Sequence, residues 1–273
     1  ARTLAEIVGP SLGQSFVIEN REGANGQIAT KEVAQEKGDG YTIIIEASGV
    51  LNLAPHLKNT GYSIDDFKGI IGLTYEPVIL AVNANSPWKT LDDLLKEKDT
   101  GKIIKYGHSG PGSFPHLSQA EFFKRAGIKA SDVPFKGSNP AVTALLGGHV
   151  DTIAAHPFDL VPHAKAGKIR MLGIFSPERF EDLPDVPTMK EQGFDIDMSV
   201  WKLILVQKDT PDEIVKILED KFQEAVNTDK FKEFLKSSNL SPQILTGKEV
   251  IEKLKRESEA NKEIVQKLGL KLE

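Results

Sequence analysis

The sequence predicts an α/β protein with two lobes. Short apolar runs typical of strands alternate with amphipathic runs typical of helices, which indicates βαβ units and largely parallel sheets. The strand-like runs are nearly continuous and rich in β-branched residues, as expected where helices cover both faces of a sheet. A chain of 273 residues is long enough to form one large hydrophobic core or two modest ones.

The elements follow one another along the whole chain. The predicted strands are 16–19, 41–47, 69–74, 78–82, 103–106, 133–135, 152–154, 169–174 and 203–206. The predicted helices are 27–36, 90–97, 116–126, 141–146, 160–166, 211–227, 230–237 and 247–268. A further helix is predicted at the start of the chain, where Leu4, Ile7, Val8 and Leu12 share one face and Gly13 ends the pattern. No strand precedes it, so we expect an N-terminal strand of the fold to be missing from this chain.

The segment after Pro211 is almost wholly helical, with one short strand-like piece at 243–245. Such a segment must pack on an earlier sheet, so the chain is expected to leave one lobe, build a second and return. Two crossing points stand out, at 69–82 and at 199–206. We therefore assign 1–79 and 202–273 to the first lobe and 80–201 to the second, with a ligand cleft between them.

Composition excludes several classes of protein. Without Cys there is no disulfide framework, no thiolate zinc site and no thiol nucleophile. The net charge of −5, from 34 basic and 39 acidic residues, argues against nucleic acid as a partner. The longest apolar runs, such as 78–82, are far too short to cross a bilayer.

Four predicted strand-to-helix junctions contain the same kinds of small and polar residues. They place small residues, hydroxyl groups and free backbone N–H groups after a strand, at 20–26, 48–49, 107–113 and 136–140. Ligands of open α/β sheets bind outside the carboxyl ends of strands, and a helix start favours an anion. Ordinary helix capping also explains Ser, Gly and Asn at each single junction, including Ser113 before Pro115 and Ser138 before Pro140. Lys136 fits both an anion-facing cation and a surface lysine.

Enzymatic alternatives have weaker support. Residues 107–111 (GHSGP) resemble a nucleophile elbow, but Pro111 replaces its final Gly, and no phosphate-binding loop is present. A hydrolase or transferase that uses Ser109 with His116 or His156 remains the alternative from this class. The six His form no closely spaced pair, so neither a metal nor another cofactor is predicted.

Seven segments, in order and spacing, resemble one known family. They are 17–26 (VIENREGANG), 39–42 (DGYT), 106–117 (YGHSGPGSFPHL), 134–141 (PFKGSNPA), 146–151 (LGGHVD), 162–168 (PHAKAGK) and 183–188 (LPDVPT). Together they resemble the substrate-binding receptors of tripartite tricarboxylate transporters, also called Bug-type extracytoplasmic solute receptors. The resemblance covers essentially the whole chain.

The resemblance implies a type II periplasmic-binding-protein (Venus-flytrap) fold, in which two crossing strands join two α/β lobes. It also implies a non-enzymatic receptor that captures a small carboxylate by hinge closure and delivers it to a membrane transporter of one large and one small subunit. The expected location is extracytoplasmic, in the periplasm or as a membrane-tethered lipoprotein, and the expected state is a monomer. A sensory domain of the same fold is a further alternative.

The family motifs also imply the ligand-binding residues. They point to Ser48 in the first lobe and to a larger set in the second, namely Ser109, Gly112, Ser113, His116, Lys136, Gly137 and Ser138. Two departures from the family concern the ligand. Glu46 stands where many members have Gly, and Ala155 where many have an acidic residue, which could offer the adjacent His156 to a polar ligand tail.

Overall fold

The computed structural model describes residues 1–21, 23–238 and 240–269, with no description of the Asn25 and Leu268 side chains. Glu22 of the 17–26 motif therefore lies outside the described residues. The chain divides into two compact units. The first consists of Ala1–Tyr75 and Trp201–Glu273, and the second is Glu76–Val200.

Helices and strands alternate through most of the chain. The strands are β1 (Ile43–Ala47), β2 (Phe67–Asn83), β3 (Ile104–His108), β4 (Ala130–Pro134), β5 (Thr152–Ala155), β6 (Ile169–Phe175), β7 (Ser199–Gln207) and β8 (Ser241–Thr246). The helices are α1 (Arg2–Leu12), α2 (Gln27–Ala34), α3 (Ser48–Asn52), α4 (Ala54–Leu57), α5 (Leu91–Leu95), α6 (Phe114–Ala126), α7 (Ser138–Leu146), α8 (Pro157–Lys165), α9 (Asp212–Val226), α10 (Asp229–Ser237) and α11 (Gly247–Leu268). The chain passes between the units within β2 and again within β7.

The first unit contains a sheet in the order β1-β7-β2-β8. β1 runs antiparallel to β7, with Ile43 opposite Val206, and β8 runs antiparallel to β2. Side chains alternate along β7 as strand geometry requires. Ile204 and Val206 pack with α1, α9 and α10, whereas Leu203 and Leu205 pack with Val50 and Leu51 of α3 and Val250 and Leu254 of α11.

The second unit contains a mixed sheet. β3 runs parallel to both β4 and β5, whereas β2 runs antiparallel to β5 and β6. The expectation of largely parallel sheets therefore holds around β3 and is wrong for β2 and for the first unit's β1–β7 and β2–β8 pairs. The alternating sequence pattern identifies strands, but it does not reveal the direction of a partner far along the chain.

Two predicted elements differ from the structure. Residues 14–21, all described, form no strand, and Val17 is 84% exposed. A strand needs a neighbour for its N–H and C=O groups, and none of the described strands pairs with this segment. The predicted break at 75–77 is also absent, since β2 continues through Pro77. Pro77 removes only its own N–H from the ladder, and Val78 pairs with Phe175 immediately after it.

Among the described residues, no helix combines the length and the hydropathy needed to span a bilayer.

Candidate functional site

Three parallel strands of the second unit end at one edge of its sheet. The register places His108 of β3 opposite Pro134 of β4, and Gly107 of β3 opposite Ile153 of β5. The carboxyl ends of parallel neighbours lie at the same edge. The segments that follow them, 109–113 after β3, 135–137 after β4 and His156 after β5, therefore lie at this edge together.

Ser113 caps α6 as its sequence pattern indicates. Its hydroxyl accepts from the backbone N–H of His116 at 3.3 Å and donates to the carbonyl oxygen of Gly110 at 2.7 Å. The backbone N–H of Ser113 also donates to that carbonyl, at 3.2 Å. Ser113 thus fixes the shape of the 109–113 loop, a helix-capping role that satisfies an otherwise unpaired donor.

The N–H groups of this loop are less available than expected. Gly112 donates to Nδ1 of His116 at 3.1 Å, and Gly110 donates to Nδ1 of His108 at 3.2 Å. With Ser113 N–H also bonded and no N–H on Pro111, the prediction of free backbone donors is wrong for Gly112 and Ser113. The half-exposed Ser109 keeps its hydroxyl and its N–H without a hydrogen-bond partner within the described ranges.

The 136–138 segment offers further donors. Gly137 has φ 114°, a left-handed conformation that favours glycine, and α7 begins at Ser138 with no side-chain cap. Lys136 is exposed, and Ser138 is half-exposed. Neither side chain has an ion pair or hydrogen bond with the described part of the chain. These two groups and Ser109 are therefore available to an anion.

A buried pair of histidines lies beneath the loop. The His108 and His116 rings stack with centroids 4.3 Å apart and are 0% and 8% exposed. Burial lowers the pKa of both imidazoles, and that of His116 falls to about 4. Nε2 of His108 lies 3.4 Å from a carboxylate oxygen of Asp132 on β4. Both histidines are consequently neutral at pH 7.

The side chains of His108, His116 and Asp132 lie close enough together to suggest a metal site. One ring nitrogen from each histidine and one carboxylate oxygen of Asp132 all lie within 4.8 Å of one another. A metal-bound histidine normally donates its second ring N–H to an acceptor. Here the Nδ1 atoms of His108 and His116 both accept backbone N–H groups, so each Nε2 carries the proton of a neutral ring. The Nε2 atoms are therefore donors, and the donor set does not fit a metal.

Gln119 of α6 is a supporting residue that sequence reasoning missed. Its amide nitrogen donates to the carbonyl oxygens of Gly107 and Pro115, at 2.9 and 3.1 Å. Its amide oxygen accepts from the hydroxyl of Thr152 at 3.0 Å. The buried Gln119 thus ties the end of β3 to α6 and β5. A polar residue on the apolar face of a predicted helix is the signal that could have identified it.

His156 follows β5 and precedes α8, where Pro157 occupies the first helical position. Its Nδ1 lies 3.4 Å from the carbonyl oxygen of Pro77. His156 is half-exposed, so the structure leaves part of this ring accessible at the same sheet edge.

Ser48 belongs to the first unit and is fully buried at the start of α3. Its hydroxyl oxygen accepts from the backbone N–H of Trp201 at 3.3 Å. Glu46 lies two residues earlier, and its carboxylate accepts from the backbone N–H of Ala47 at 2.8 Å and from the Thr30 hydroxyl at 3.2 Å. Burial is the largest influence on Glu46 and raises its pKa. This carboxylate is thus turned toward α2, with neutral hydrogen-bond partners.

Two α/β units and a donor-rich sheet edge are typical of a solute-binding protein, and comparisons with known proteins give the family. The family model described as the tripartite tricarboxylate transporter family receptor matches residues 1–270. The chain belongs to this family, whose receptors are extracytoplasmic solute-binding proteins. A UPF0065 protein from the gbd 5′ region of Cupriavidus necator is 31% identical over 98% of this chain and 82% of its own. BugT of Bordetella pertussis is 31% identical over 90% and 77%.

Solved structures agree with this assignment, and the periplasmic-binding-protein fold is confirmed. The periplasmic binding protein BugD has a TM-score of 0.86 at 29% identity, covering 99% of this chain and 92% of its own. An R. palustris protein solved with adipate has a TM-score of 0.88 at 28% identity, with coverage of 99% and 92%. MatC from Rhodopseudomonas palustris, solved with bound malate, has a TM-score of 0.84 at 26% identity, with coverage of 97% and 92%.

Proposed function

We propose that the protein captures a small organic carboxylate outside the cytoplasm and delivers it to a tripartite tricarboxylate-type membrane transporter of one large and one small subunit. The family assignment and the neighbours solved with adipate and malate support this proposal. The receptor works as a monomer, in the periplasm or tethered to a membrane as a lipoprotein.

The observation that carries the proposal is the set of available donors at one sheet edge. The hydroxyl and N–H of Ser109 after β3, and the side chains of Lys136 and Ser138 after β4, have no hydrogen-bond or ion-pair partner in the described ranges. A carboxylate accepts such donors well, and charge-assisted hydrogen bonds are stronger than neutral ones. The uncapped start of α7 adds a favourable dipole for a negative ligand.

Ser48 of the first unit completes the proposed site, and the ligand is held by residues of both units. Closure about the strands β2 and β7, in which the chain passes between the units, then excludes water from the bound acid. Small-angle scattering with and without the acid tests this step, and an unchanged radius of gyration at saturation would contradict closure.

Binding itself is tested with a panel of mono-, di- and tricarboxylates that includes malate and adipate. A ligand of the folded protein raises its apparent stability, so the bound acids raise the melting temperature, and calorimetry then gives Kd. Ser109→Ala and Ser138→Ala are each expected to weaken binding about tenfold, since each removes a donor to a charged group. Ser131→Ala, on the exposed part of β4, is the matched control and leaves Kd unchanged. A panel without any response would overturn the proposal.

Delivery is tested separately with the membrane subunits reconstituted in vesicles. Uptake of the labelled acid identified by calorimetry is expected only when this protein is present. Equal uptake without it would show that the protein binds the acid for another purpose, such as sensing.

A further inference from the structure

The loop that carries Ser109 is held from below by two imidazole nitrogens. Nδ1 of His108 accepts the N–H of Gly110 at 3.2 Å, and Nδ1 of His116 accepts the N–H of Gly112 at 3.1 Å. The two rings are stacked, with an interplanar angle of 26°. Two histidines that lie eight positions apart thus fix alternate residues of one short loop.

These contacts select the backbone shape of the loop. Gly110 and Gly112 have φ values of 136° and 74°, in the left-handed region that other residues rarely adopt. Two glycines in this region leave the loop with little intrinsic preference for one shape, so the imidazole acceptors and the Ser113 bonds to Gly110 together decide it. Among the N–H groups of the loop, that of Ser109 is the one left for a ligand within the described part of the chain.

The contacts exist only while both Nδ1 atoms lack a proton. A protonated Nδ1 is a donor and would face another N–H donor. Protonation of both rings would also place two positive charges 4.3 Å apart at the centroids, in a poorly solvated position. The neutral form of the pair is therefore part of the structure of the loop.

The surroundings of the pair contain few titratable groups. Asp132 of β4 faces His108 Nε2, and its carboxylate partly favours a proton on that ring. Tyr106 of β3 lies against both rings, with centroids at 6.1 and 6.4 Å, and burial raises its pKa to about 12, so it stays neutral. His108 and His116 disfavour a proton on each other. Burial outweighs the attraction of Asp132 for both rings.

We propose that His108 and His116 are positioning residues whose neutral Nδ1 atoms shape the 109–113 loop for ligand binding, and that acidification releases the loop and weakens binding. This inference rests on the proposed function and adds His108 to the residues that serve the site. Neither ring needs to touch the ligand, since the effect passes through the N–H groups of Gly110 and Gly112.

Two substitutions of His116 distinguish the effect of its Nδ1 acceptor from the effect of its aromatic ring. His116→Asn places an amide oxygen near the position of Nδ1, whereas His116→Phe keeps an aromatic ring for stacking but removes the acceptor. With malate and adipate as probes at pH 7.5, His116→Phe is expected to weaken binding about tenfold or more, and His116→Asn about threefold or less. Equal losses in the two variants would overturn the positioning role.

The pH dependence supplies the second test. Wild-type affinity for the same two acids is expected to fall at least about twofold further than that of the double variant His108→Asn/His116→Asn as the pH is lowered from 7 to 4, where the His116 ring is half protonated. At each pH the wild type and the double variant are exposed to the same ionisation state of each acid. The difference between their pH profiles is therefore independent of the titration of the ligand. Parallel pH profiles would contradict the inference.

A ligand-free measurement keeps this inference separate from the proposed function. Nitrogen NMR of the wild-type imidazoles at pH 7.5 is expected to show an unprotonated Nδ1 in both rings. As the rings are protonated at lower pH, the protection of the Gly110 and Gly112 amides, relative to the intrinsic exchange rate at each pH, is expected to fall. A protonated Nδ1 in either ring would overturn the inference even if the acids bind. Normal NMR behaviour without binding of any acid would instead overturn the proposed function.

Discussion

The backbone N–H of Trp201 donates a 3.3 Å hydrogen bond to the hydroxyl oxygen of Ser48, which lies 153 residues earlier in the chain. Because Ser48 Oγ is the acceptor in this bond, its own proton remains free to donate. Trp201 thereby orients the hydroxyl of a fully buried serine. The same contact joins the start of α3 to β7, the strand in which the chain returns to the first unit.

Ser48→Ala distinguishes a ligand contact from a purely structural serine. We expect the variant to bind the best acid of the panel about tenfold more weakly, since a donor to a carboxylate is lost. Its stability should fall by only about 1 kcal/mol, the usual net value of one hydrogen bond. Calorimetry and urea unfolding measure the two effects, with the exposed Ser237→Ala as control. A loss of stability with unchanged affinity would assign Ser48 to the fold alone.

Glu257 of α11 holds α3 and β7 together. One of its carboxylate oxygens accepts from Asn52 Nδ2 at 2.7 Å and from Trp201 Nε1 at 2.8 Å, and the other lies 3.0 Å from Lys253 Nζ. Glu257→Ala leaves two largely buried donors without a partner, so we expect a loss of about 3 kcal/mol of unfolding free energy. Glu263→Ala on the exposed face of the same helix should cost less than about 0.5 kcal/mol. Urea unfolding of both variants checks this, and similar midpoints would contradict the role of Glu257.

Local signals in the sequence predicted much of the fold. Ser113 with Pro115 indicated the start of α6, and the Thr90–Asp93 pair forms the capping box expected where polar residues precede a helix. Repeating apolar positions identified the longer helices because the pattern arises within one turn or two. The short helices α3 and α4 were missed because they contain too few residues to show a repeat. The strand predicted at 16–19 failed because a strand depends on a distant partner that the local pattern does not contain.

The candidate site was predictable in location more than in chemistry. Glycines and serines after predicted strands identified the turns that follow β3 and β4, although residues 107–108 belong to β3 and residues 138–140 to α7. The internal use of Gly112 N–H by His116 could not be predicted, since it depends on the path of the folded loop. His108 was overlooked as a supporting residue because its partner Asp132 lies on a different strand, 24 residues away.

The buried histidines also make stability depend on pH. The pKa of His116 is about 4 in the folded protein, against an ordinary value of 6.5, because of burial first and the neighbouring His108 second. The unfolded chain then binds more protons between these values, so stability is complete above pH 6.5 and is lost as the pH falls toward 4. The loss of unfolding free energy attributable to His116 is about 3 kcal/mol. Thermal unfolding from pH 7.5 to pH 4 should show a smaller loss for His116→Asn than for the wild type, whereas the exposed His149→Asn should follow the wild type.

Glu46 makes the stability of the protein depend on pH in the opposite direction to His116. Burial raises its pKa in the folded state above the ordinary value of 4.5, against smaller opposing effects of the Ala47 N–H, Lys202 and the Thr30 hydroxyl. Between pH 4.5 and the raised pKa of Glu46, the folded protein therefore binds more protons than the unfolded chain. Its stability falls as the pH rises through this range. Glu46→Gln removes the ionisation, so its melting temperature relative to the wild type should increase above pH 4.5 and then level off. The exposed Glu233→Gln is the control, and a constant difference between Glu46→Gln and wild type at every pH would contradict the raised pKa.

Glu46 should also influence which acids bind. Glu46 lies two residues before Ser48, and its two carboxylate oxygens accept from the Ala47 N–H and the Thr30 hydroxyl, so its ionised form places a negative charge close to the start of α3. A like charge disfavours a second carboxylate nearby. Glu46→Gln is therefore expected to improve the affinity for dicarboxylates such as malate several-fold more than the affinity for a monocarboxylate of similar length. Calorimetry with both acids at pH 7.5 measures the ratio. An unchanged ratio would place Glu46 too far from the ligand to affect specificity, and its role would then be confined to the contact with α2.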